Sequence, residues 1–459
     1  MTGDTAYYQG LVDAAMAPYR WIICADVAAG FTSAVEHFAE IGAPRPLLLA
    51  GSPGTGALPD PEAAELIVLG TSGTTMLGGI RAYHDALRHL PASALERIDA
   101  WDPDHTARVL TSFLDIEIDV AGRRSWGARP ATWMPLEDKT AVAAVWEAAG
   151  VPQVESVVVP AAAEGLVAAA TRIDRGIGTV WAGDDREGWN GGAEYTRFVL
   201  DPLGAGATVE FFAAHCDRVR VMPFLSGVAC SIHGMVFPDT VATFRPVEMV
   251  VFREPDSDRF RYASVATTWD PSPGVRDEMR AAARRVGDHL RSAYGYRGVF
   301  TMDGVATAEG WRPTELNPRF GAGLGAVARS SRMPLLGISR MLVAGEIDGL
   351  DAAEIEEITL EAGERIRQLG GLTTIPMPVA ATIEQRIELS KGEIRPVPEG
   401  GNGLLQLGPA AMGGLVRFTM DPGTVPGGTH AAPVVARAFA LADELWGTGI
   451  GPLIPATPA

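Results

Sequence analysis

Thr314-Glu315-Leu316-Asn317-Pro318-Arg319-Phe320-Gly321, with Asp303 a short way upstream, is the stretch that decides the fold. Residues 298–307 (Gly-Val-Phe-Thr-Met-Asp-Gly-Val-Ala-Thr) and 311–319 read as two strands joined by a tight turn at Glu309-Gly310. A hairpin symmetric about Glu309 sets Asp303 opposite Glu315, and the period of two along a strand puts Asn317 on the same face as Glu315. Carboxylates opposed across a strand pair repel. Either solvent separates them at an exposed edge, or a hard cation neutralises them, and the oxygens of Asp, Glu and Asn are the donors that Mg²⁺ prefers.

This arrangement resembles the metal-binding end of the ATP-grasp fold, whose members carry an Asp on one strand and a Glu-x-Asn pair on the next, often followed by an Arg. The matching positions are Asp303, Glu315, Asn317 and Arg319. The resemblance implies that Asp303, Glu315 and Asn317 hold Mg²⁺ (or Mn²⁺) ions bridging the phosphates of ATP. It also implies that Arg319 helps to stabilise the transferring phosphoryl group or the acyl phosphate.

Composition frames that reading. A chain of 459 residues is long enough for roughly two to four structural units. No apolar run reaches the length of a membrane span, and the start, Met-Thr-Gly-Asp-Thr-Ala, lacks a basic region followed by an apolar stretch. A cytoplasmic protein without a membrane partner is the expectation. Cys24, Cys216 and Cys230 are widely spaced and odd in number, which argues against a disulfide framework and against a zinc cluster. A net charge of −18 argues against a nucleic-acid partner. An acidic protein that binds ATP must place a few cations locally and use Mg²⁺ for the rest.

Lys139 and Lys391 are the only two lysines in the chain; arginine supplies every other basic side chain. Lys139 lies in Leu136-Glu137-Asp138-Lys139-Thr140, just before apolar residues at helical spacing, Val142, Val145, Trp146 and Ala149. Asp138 suits the N-cap of that helix. A cation at a helix N-terminus opposes the macrodipole, so Lys139 is either a plain surface lysine or the partner of an anion that docks there. ATP-grasp enzymes commonly have an Asp-Lys pair opening a helix that ends in Gly-Val/Ile-Pro, and Ala149-Gly150-Val151-Pro152 is similar. By that resemblance Lys139 contacts ATP phosphate.

Thr179-Val180-Trp181-Ala182-Gly183 reads as a strand, and Asp184 to Gly192 as a glycine-rich loop. Glycines permit positive φ and let backbone N–H groups approach phosphate oxygens. In the family such a loop closes over the nucleotide, which makes Arg186, Gly188, Gly191 and Gly192 the expected contacts; an ordinary surface loop is the other reading. The chain also departs from the pattern. Most members carry a second lysine on the strand before the loop, where this sequence has Trp181-Ala182, so Arg186 or another arginine has to replace that charge. The run Met222-Pro223-Phe224-Leu225-Ser226-Gly227-Val228-Ala229 resembles the family's nucleotide hinge without its acidic residues. Backbone contacts from Met222, Pro223, Phe224 and Leu225 are then expected to hold the adenine.

Residues 208–224 and 228–237 read as β-structure, and 273–293 as a helix with Val275, Met279, Val286 and Leu290 on one face. Arg245 and Arg297 are candidates for a bidentate contact with a substrate carboxylate, or for ion pairs within the fold. Upstream, residues 20–24, 46–50 and 66–70 read as strands with a helix at 31–41, so the chain starts as a doubly wound α/β domain. Gly51-Ser52-Pro53-Gly54-Thr55-Gly56 lacks the register of a nucleotide loop and reads as a turn. After residue 370 short strands, a helix at 431–446 and a frayed tail from Gly447 resemble the small C-terminal module of carboxylase-like members.

The expected fold class is therefore α/β with α+β character. It divides into an N-terminal Rossmann-like domain (1–130), an ATP-grasp subdomain with the lid (131–220), a metal-binding subdomain (221–370) and a C-terminal module (371–459). The resemblance implies an ADP-forming ligase that joins a small carboxylate to an amine, with amino-acid-like substrates and a possible homodimer. A bicarbonate-using carboxylase type, a ligase with a non-amine nucleophile and a non-catalytic nucleotide-binding scaffold are the alternatives.

Overall fold

A computed structural model describes residues 4–73, 75–111, 115–255, 257–410 and 413–456. The chain divides into two compact units, of which the first comprises Met1–Met134, Tyr296–Val299 and Arg332–Ile355. It runs α1 (Thr5–Met16), β1 (Trp21–Val27), α2 (Thr32–Glu40), β2 (Leu47–Ser52), β3 (Glu65–Val68), α3 (Met76–Arg88), α4 (Ala92–Trp101) and β4 (Arg108–Leu110), followed by the short strands β5 (Asp119–Val120) and β6 (Arg123–Arg124). The first four strands form a parallel sheet in the order β3-β2-β1-β4. Continuous apolar runs such as Ile22 to Ala25 and Leu47 to Ala50 suit such strands, because helices cover both faces of a parallel sheet.

The second unit holds everything that forms the site. It begins with α5 (Val142–Ala148), β7 (Val157–Pro160), α6 (Ala163–Ile173), β8 (Thr179–Gly183), β9 (Thr196–Val199), α7 (Gly206–His215) and β10 (Arg218–Pro223). The strands make an antiparallel sheet in the order β7-β10-β8-β9. Residues 208–215, expected as strand, belong to α7. Thr208 and Phe212 are its buried positions, the i, i+4 spacing of a helix, and this packing overrides the β-favouring content of Thr-Val-Glu-Phe-Phe.

A larger sheet follows, from β11 (Val228–Val236), β12 (Val241–Thr243), β13 (Val247–Arg253), β14 (Phe260–Ala266), α8 (Pro273–Tyr294), β15 (Gly298–Thr307) and β16 (Gly310–Asn317). Its order is β14-β13-β11-β15-β16, with β12 beside β11. Ser272 caps α8 through the Val275 amide, Pro273 opens it, and Gly295 ends it in the left-handed region at φ 62°. Met279, Ala283, Val286 and Leu290 form its buried stripe. Next come α9 (Ala322–Ser331), α10 (Leu335–Ala344), which belongs to the first unit, and α11 (Ala352–Arg365).

The last part has β17 (Gly370–Ile375), β18 (Ile383–Ser390), β19 (Glu393–Pro396), β20 (Gly403–Ala410) and β21 (Gly413–Met420) in a sheet of order β17-β21-β20-β18-β19, then α12 (Ala431–Trp446) and β22 (Ile454–Pro455). Val435, Ala438, Phe439 and Ala442 of α12 pack with Leu405, Val416 and Phe418 of that sheet. The segment expected to fray after Gly447 is pinned. Asp443 accepts from Thr448 Oγ1 at 2.7 Å and from the Gly449 amide at 2.6 Å, and β22 pairs antiparallel with β13.

Candidate active site

The hairpin pairs Asp303 with Glu315 and Thr301 with Asn317, as the spacing predicts, by a different route. The turn is centred on Ala308-Glu309, because Thr307 pairs with Gly310 and Gly304 with Pro313. On that register alone Asp303 would face Thr314. A register shift between Asp303 and Gly304 leaves Thr314 as the extra residue of a bulge and returns Glu315 to its place against Asp303.

A chain of polar contacts runs outward from this pair. Ser231 Oγ on β11 donates to Asp303 Oδ1 at 2.5 Å, and Asn317 Nδ2 donates to Asp303 Oδ2 at 2.9 Å. Arg319 Nη2 donates to Asn317 Oδ1 at 2.9 Å, and Arg319 Nε to Glu137 Oε1 at 3.1 Å. Burial, first, and the Glu315 carboxylate, second, push the Asp303 carboxyl up to about 7. Lys139 comes to the same hairpin. Its Nζ lies 3.3 Å from Glu315 Oε1 and donates to Asn190 Oδ1 at 2.8 Å, and only 7% of its side chain is exposed. The other lysine, Lys391, is exposed in the turn between β18 and β19.

Asp138 is not the cap of α5, which starts at Val142 with Ala141 before it. Its carboxylate instead accepts from Thr140 N and Oγ1, each at 2.8 Å, closing a turn around Lys139. Two arginines of β10 hold this turn from the sheet. Arg218 Nη2 lies 3.1 Å from Asp138 Oδ2, and Arg220 Nη1 donates to Lys139 O at 3.1 Å. Burial pulls the Arg220 guanidinium down to about 10, with the Glu315 charge acting the other way.

Two opposed carboxylates and a neighbouring amide fit a divalent ion of the Mg²⁺ type. Among the described residues no group of three or more His, Cys, Asp or Glu is placed to hold a metal. A site with only two carboxylates is the kind that Mg²⁺ completes with substrate phosphates and water, and Asp303 stays raised with Lys139 and Arg319 acting the other way.

The backbone can be set beside solved structures. It aligns with the ADP complex of an N5-carboxyaminoimidazole ribonucleotide synthetase over 93% of this chain and 97% of the other, at TM-score 0.55 and 11% identity. An L-amino acid ligase from Bacillus licheniformis aligns over 96% and 99%, at TM-score 0.51 and 13% identity. The biotin carboxylase domain of Hydrogenobacter thermophilus 2-oxoglutarate carboxylase, a dimer bound to MgADP and bicarbonate, aligns over 87% and 85%, at TM-score 0.51 and 12% identity. The chain has the ATP-grasp fold. No family model matches the sequence, and no curated protein does.

Within the ATP-grasp framework the loop between β8 and β9 supplies two residues that sequence reasoning passed over. Asn190, which takes the Lys139 ammonium, is itself held by its Nδ2 donating to Asp184 O at 2.9 Å. The Trp189 ring lies under the Arg319 guanidinium, 5.4 Å from centroid to Cζ. Gly188 and Gly192 have φ of 86° and 62° and Gly191 abuts the Trp189 ring, so the glycines shape the loop that delivers these side chains. Arg186 is held within the fold. It bonds the carbonyls of Ala214 and Cys216 and lies 3.4 Å from Asp217 Oδ1, so the protein's own acceptors at the end of α7 take its charge.

The hinge offers few free donors. Pro223 has no N–H, the Phe224 amide donates to Gly178 O at 2.9 Å, and the Phe224 ring packs on Phe198 and Arg253. Of the two arginines considered for a substrate carboxylate, Arg245 is buried against Glu364 and Asp270, an ion-pair cluster within the fold. Arg297 lies in the first unit and donates to Tyr296 O at 2.7 Å. One signal for Arg220 was available: Val219 and Val221 flank it, and both are fully buried on the opposite face of β10.

Proposed function

We propose that this chain is an ADP-forming, ATP-dependent ligase that activates a small carboxylate as an acyl phosphate and couples it to an amine, making an amide between amino-acid-like substrates. The observation that carries the reading is the meeting of Lys139, the Asp303–Glu315 pair, Asn317 and Arg319 with Trp189 and Asn190 beside them.

In this reading the Lys139 ammonium exchanges Asn190 for a phosphate oxygen and stays beside Glu315. Asp303, Glu315 and Asn317 would hold Mg²⁺, whose chemistry is to neutralise charge gathering on the transferring phosphoryl group. Asn317 presents its oxygen to Arg319 and its nitrogen to Asp303, so its amide must exchange ends to act as an oxygen ligand. Arg319, steadied by Glu137, then offers its guanidinium to the carboxylate under activation. Trp189 and Asn190 cover the two cations and keep water from the acyl phosphate. Among similar folds, one named an L-amino acid ligase and others bound to ADP or MgADP support this reading.

The test is ADP and phosphate release with Mg²⁺-ATP over pools of amino acids and small carboxylic acids, with mass spectrometry of the products. Release that depends on a pool, with a product mass equal to two substrates less water, is the expected result. AMP release refutes the acyl-phosphate route. The bicarbonate in the similar carboxylase domain favours one second reading, which a bicarbonate-dependent product carrying added CO₂ would establish.

A further inference from the structure

Arg220 is buried on an inner strand of its sheet, 2% exposed, and makes no ion pair among the described residues. Its Nη1 donates to Lys139 O at 3.1 Å and its Nη2 to Thr314 O at 2.8 Å, with Met222 Sδ 3.0 Å from Nη2; its Nε has no partner. Burying a guanidinium without a carboxylate is unfavourable, and a Met or Leu would fill the space at lower cost. The residue type is explained by what the two arms of the guanidinium reach. The two carbonyls lie 81 and 94 residues away in sequence. One belongs to the residue whose ammonium pairs with Glu315, and the other to the bulge residue immediately before Glu315.

We propose that Arg220 is the positioning residue that locks the Lys139 turn to the Thr314 bulge, fixing the phosphate-side ammonium at a set distance from the metal-ligand pair. The contacts close a ring: Arg220 to the Lys139 peptide, the Lys139 side chain to Glu315, the Glu315 peptide to Thr314, and Thr314 back to Arg220. Such a ring transmits a displacement at one member to the others, because each is held at both ends. No neighbour on the sheet can substitute. Arg220 pairs with Val158 on one side and Ala182 on the other, and directly opposite residues share a face, so both flanking positions lack a donor. Arg218, next on that face, is spent on Asp138. The inference rests on the nucleotide reading above and adds to it the residue that makes Lys139 and the hairpin act as one unit.

The experiment measures ADP affinity by calorimetry with and without Mg²⁺ for wild type, Arg220→Lys and Arg220→Gln, alongside thermal unfolding. The expected result is a loss of about tenfold in the gain that Mg²⁺ adds to ADP affinity, the worth of one charge-assisted hydrogen bond, with metal-free ADP affinity within about threefold of wild type. Lysine keeps the charge but cannot reproduce the planar fork that spans both carbonyls, so Arg220→Lys is expected to fall with Arg220→Gln. A cycle of Lys139→Met and Glu315→Gln on MgADP affinity supplies a readout that general loosening would leave in place: the two are coupled in wild type and additive within about twofold in Arg220→Lys. A folded variant with wild-type Mg²⁺ gain and wild-type coupling overturns the inference, as does failure of both variants to fold, which would make Arg220 purely structural. Absence of ADP binding by wild type overturns the nucleotide reading itself, and this inference with it.

Discussion

Asp303→Asn is expected to make the cation-free protein more stable while ending its function. The Asp303 carboxyl sits at about 7, against an ordinary 3.8, because burial and then the Glu315 charge disfavour ionisation. Held fully ionised, such a group destabilises the fold by about 4 kcal/mol; Asp303 is half-buried, and screening by water leaves about 2 kcal/mol. The variant gives up one contact, since Asn317 Nδ2, now 2.9 Å from Asp303 Oδ2, would face an amide nitrogen, at about 1 kcal/mol. The net is a gain of about 1 kcal/mol, or a melting temperature higher by roughly 1 °C in a chain of this length. Between pH 3.8 and about 7 the native state binds the extra proton, so this carboxyl's contribution to wild-type stability falls as pH rises through that window. The advantage of the variant is therefore largest above about pH 7 and reverses towards about pH 4, where only the lost contact remains. Calorimetric unfolding in a chelator at both ends of the window is the assay, and added MgADP should stabilise wild type alone. A variant less stable than wild type at the upper pH, or a difference equal at both, would refute the reasoning.

Glu315→Ala is expected to keep the fold and abolish ATP turnover, and full activity in a steady-state ADP-release assay would remove it from the metal site. Lys139→Ala should weaken MgADP binding by about 10–100-fold, the range of a charged hydrogen bond; a calorimetric affinity within twofold of wild type would return Lys139 to a structural role. Trp189→Ala uncovers Arg319 and should raise ADP release relative to amide product, as water reaches the acyl phosphate; an unchanged ratio would exclude the ring as a cover. Glu248, fully buried, accepts from the Ala431 and Ala432 amides at 2.8 and 3.0 Å at the start of α12. Glu248→Gln should therefore cost about 2 kcal/mol of stability with MgADP affinity unchanged, and an altered affinity would contradict its placement as a helix cap.

Local pattern made the geometry of the candidate site partly legible. Asp303, Glu315 and Asn317 were readable because strand alternation and hairpin pairing are short-range rules, and an error of one residue in the turn was cancelled by the Thr314 bulge. Lys139 stood out by rarity. The helix expected at 431–446 is α12, with Gly447 at its end. For Arg186 the charge suited a phosphate, and the acceptors it meets near residue 215 lie close only in the folded chain. Asp138 looked like a cap because capping is read from sequence neighbours, whereas its two acceptor contacts close a turn ahead of the helix.

By itself the sequence determined most of the strand and helix periods, the pairing across the Asp303–Glu315 hairpin and the scarcity of lysine that marks Lys139. All of these depend on residues within about one element of each other, where hydrogen-bond geometry and burial period leave few options. Only the tertiary structure decided that Arg220 reaches both Lys139 and Thr314, that Asn190 and Trp189 lie against the two cations, and that Arg245 is spent on Glu364 and Asp270. Those contacts join positions far apart in the chain. Which of many possible partners an arginine meets is set by the packing of whole sheets, and no local preference of the residue encodes it.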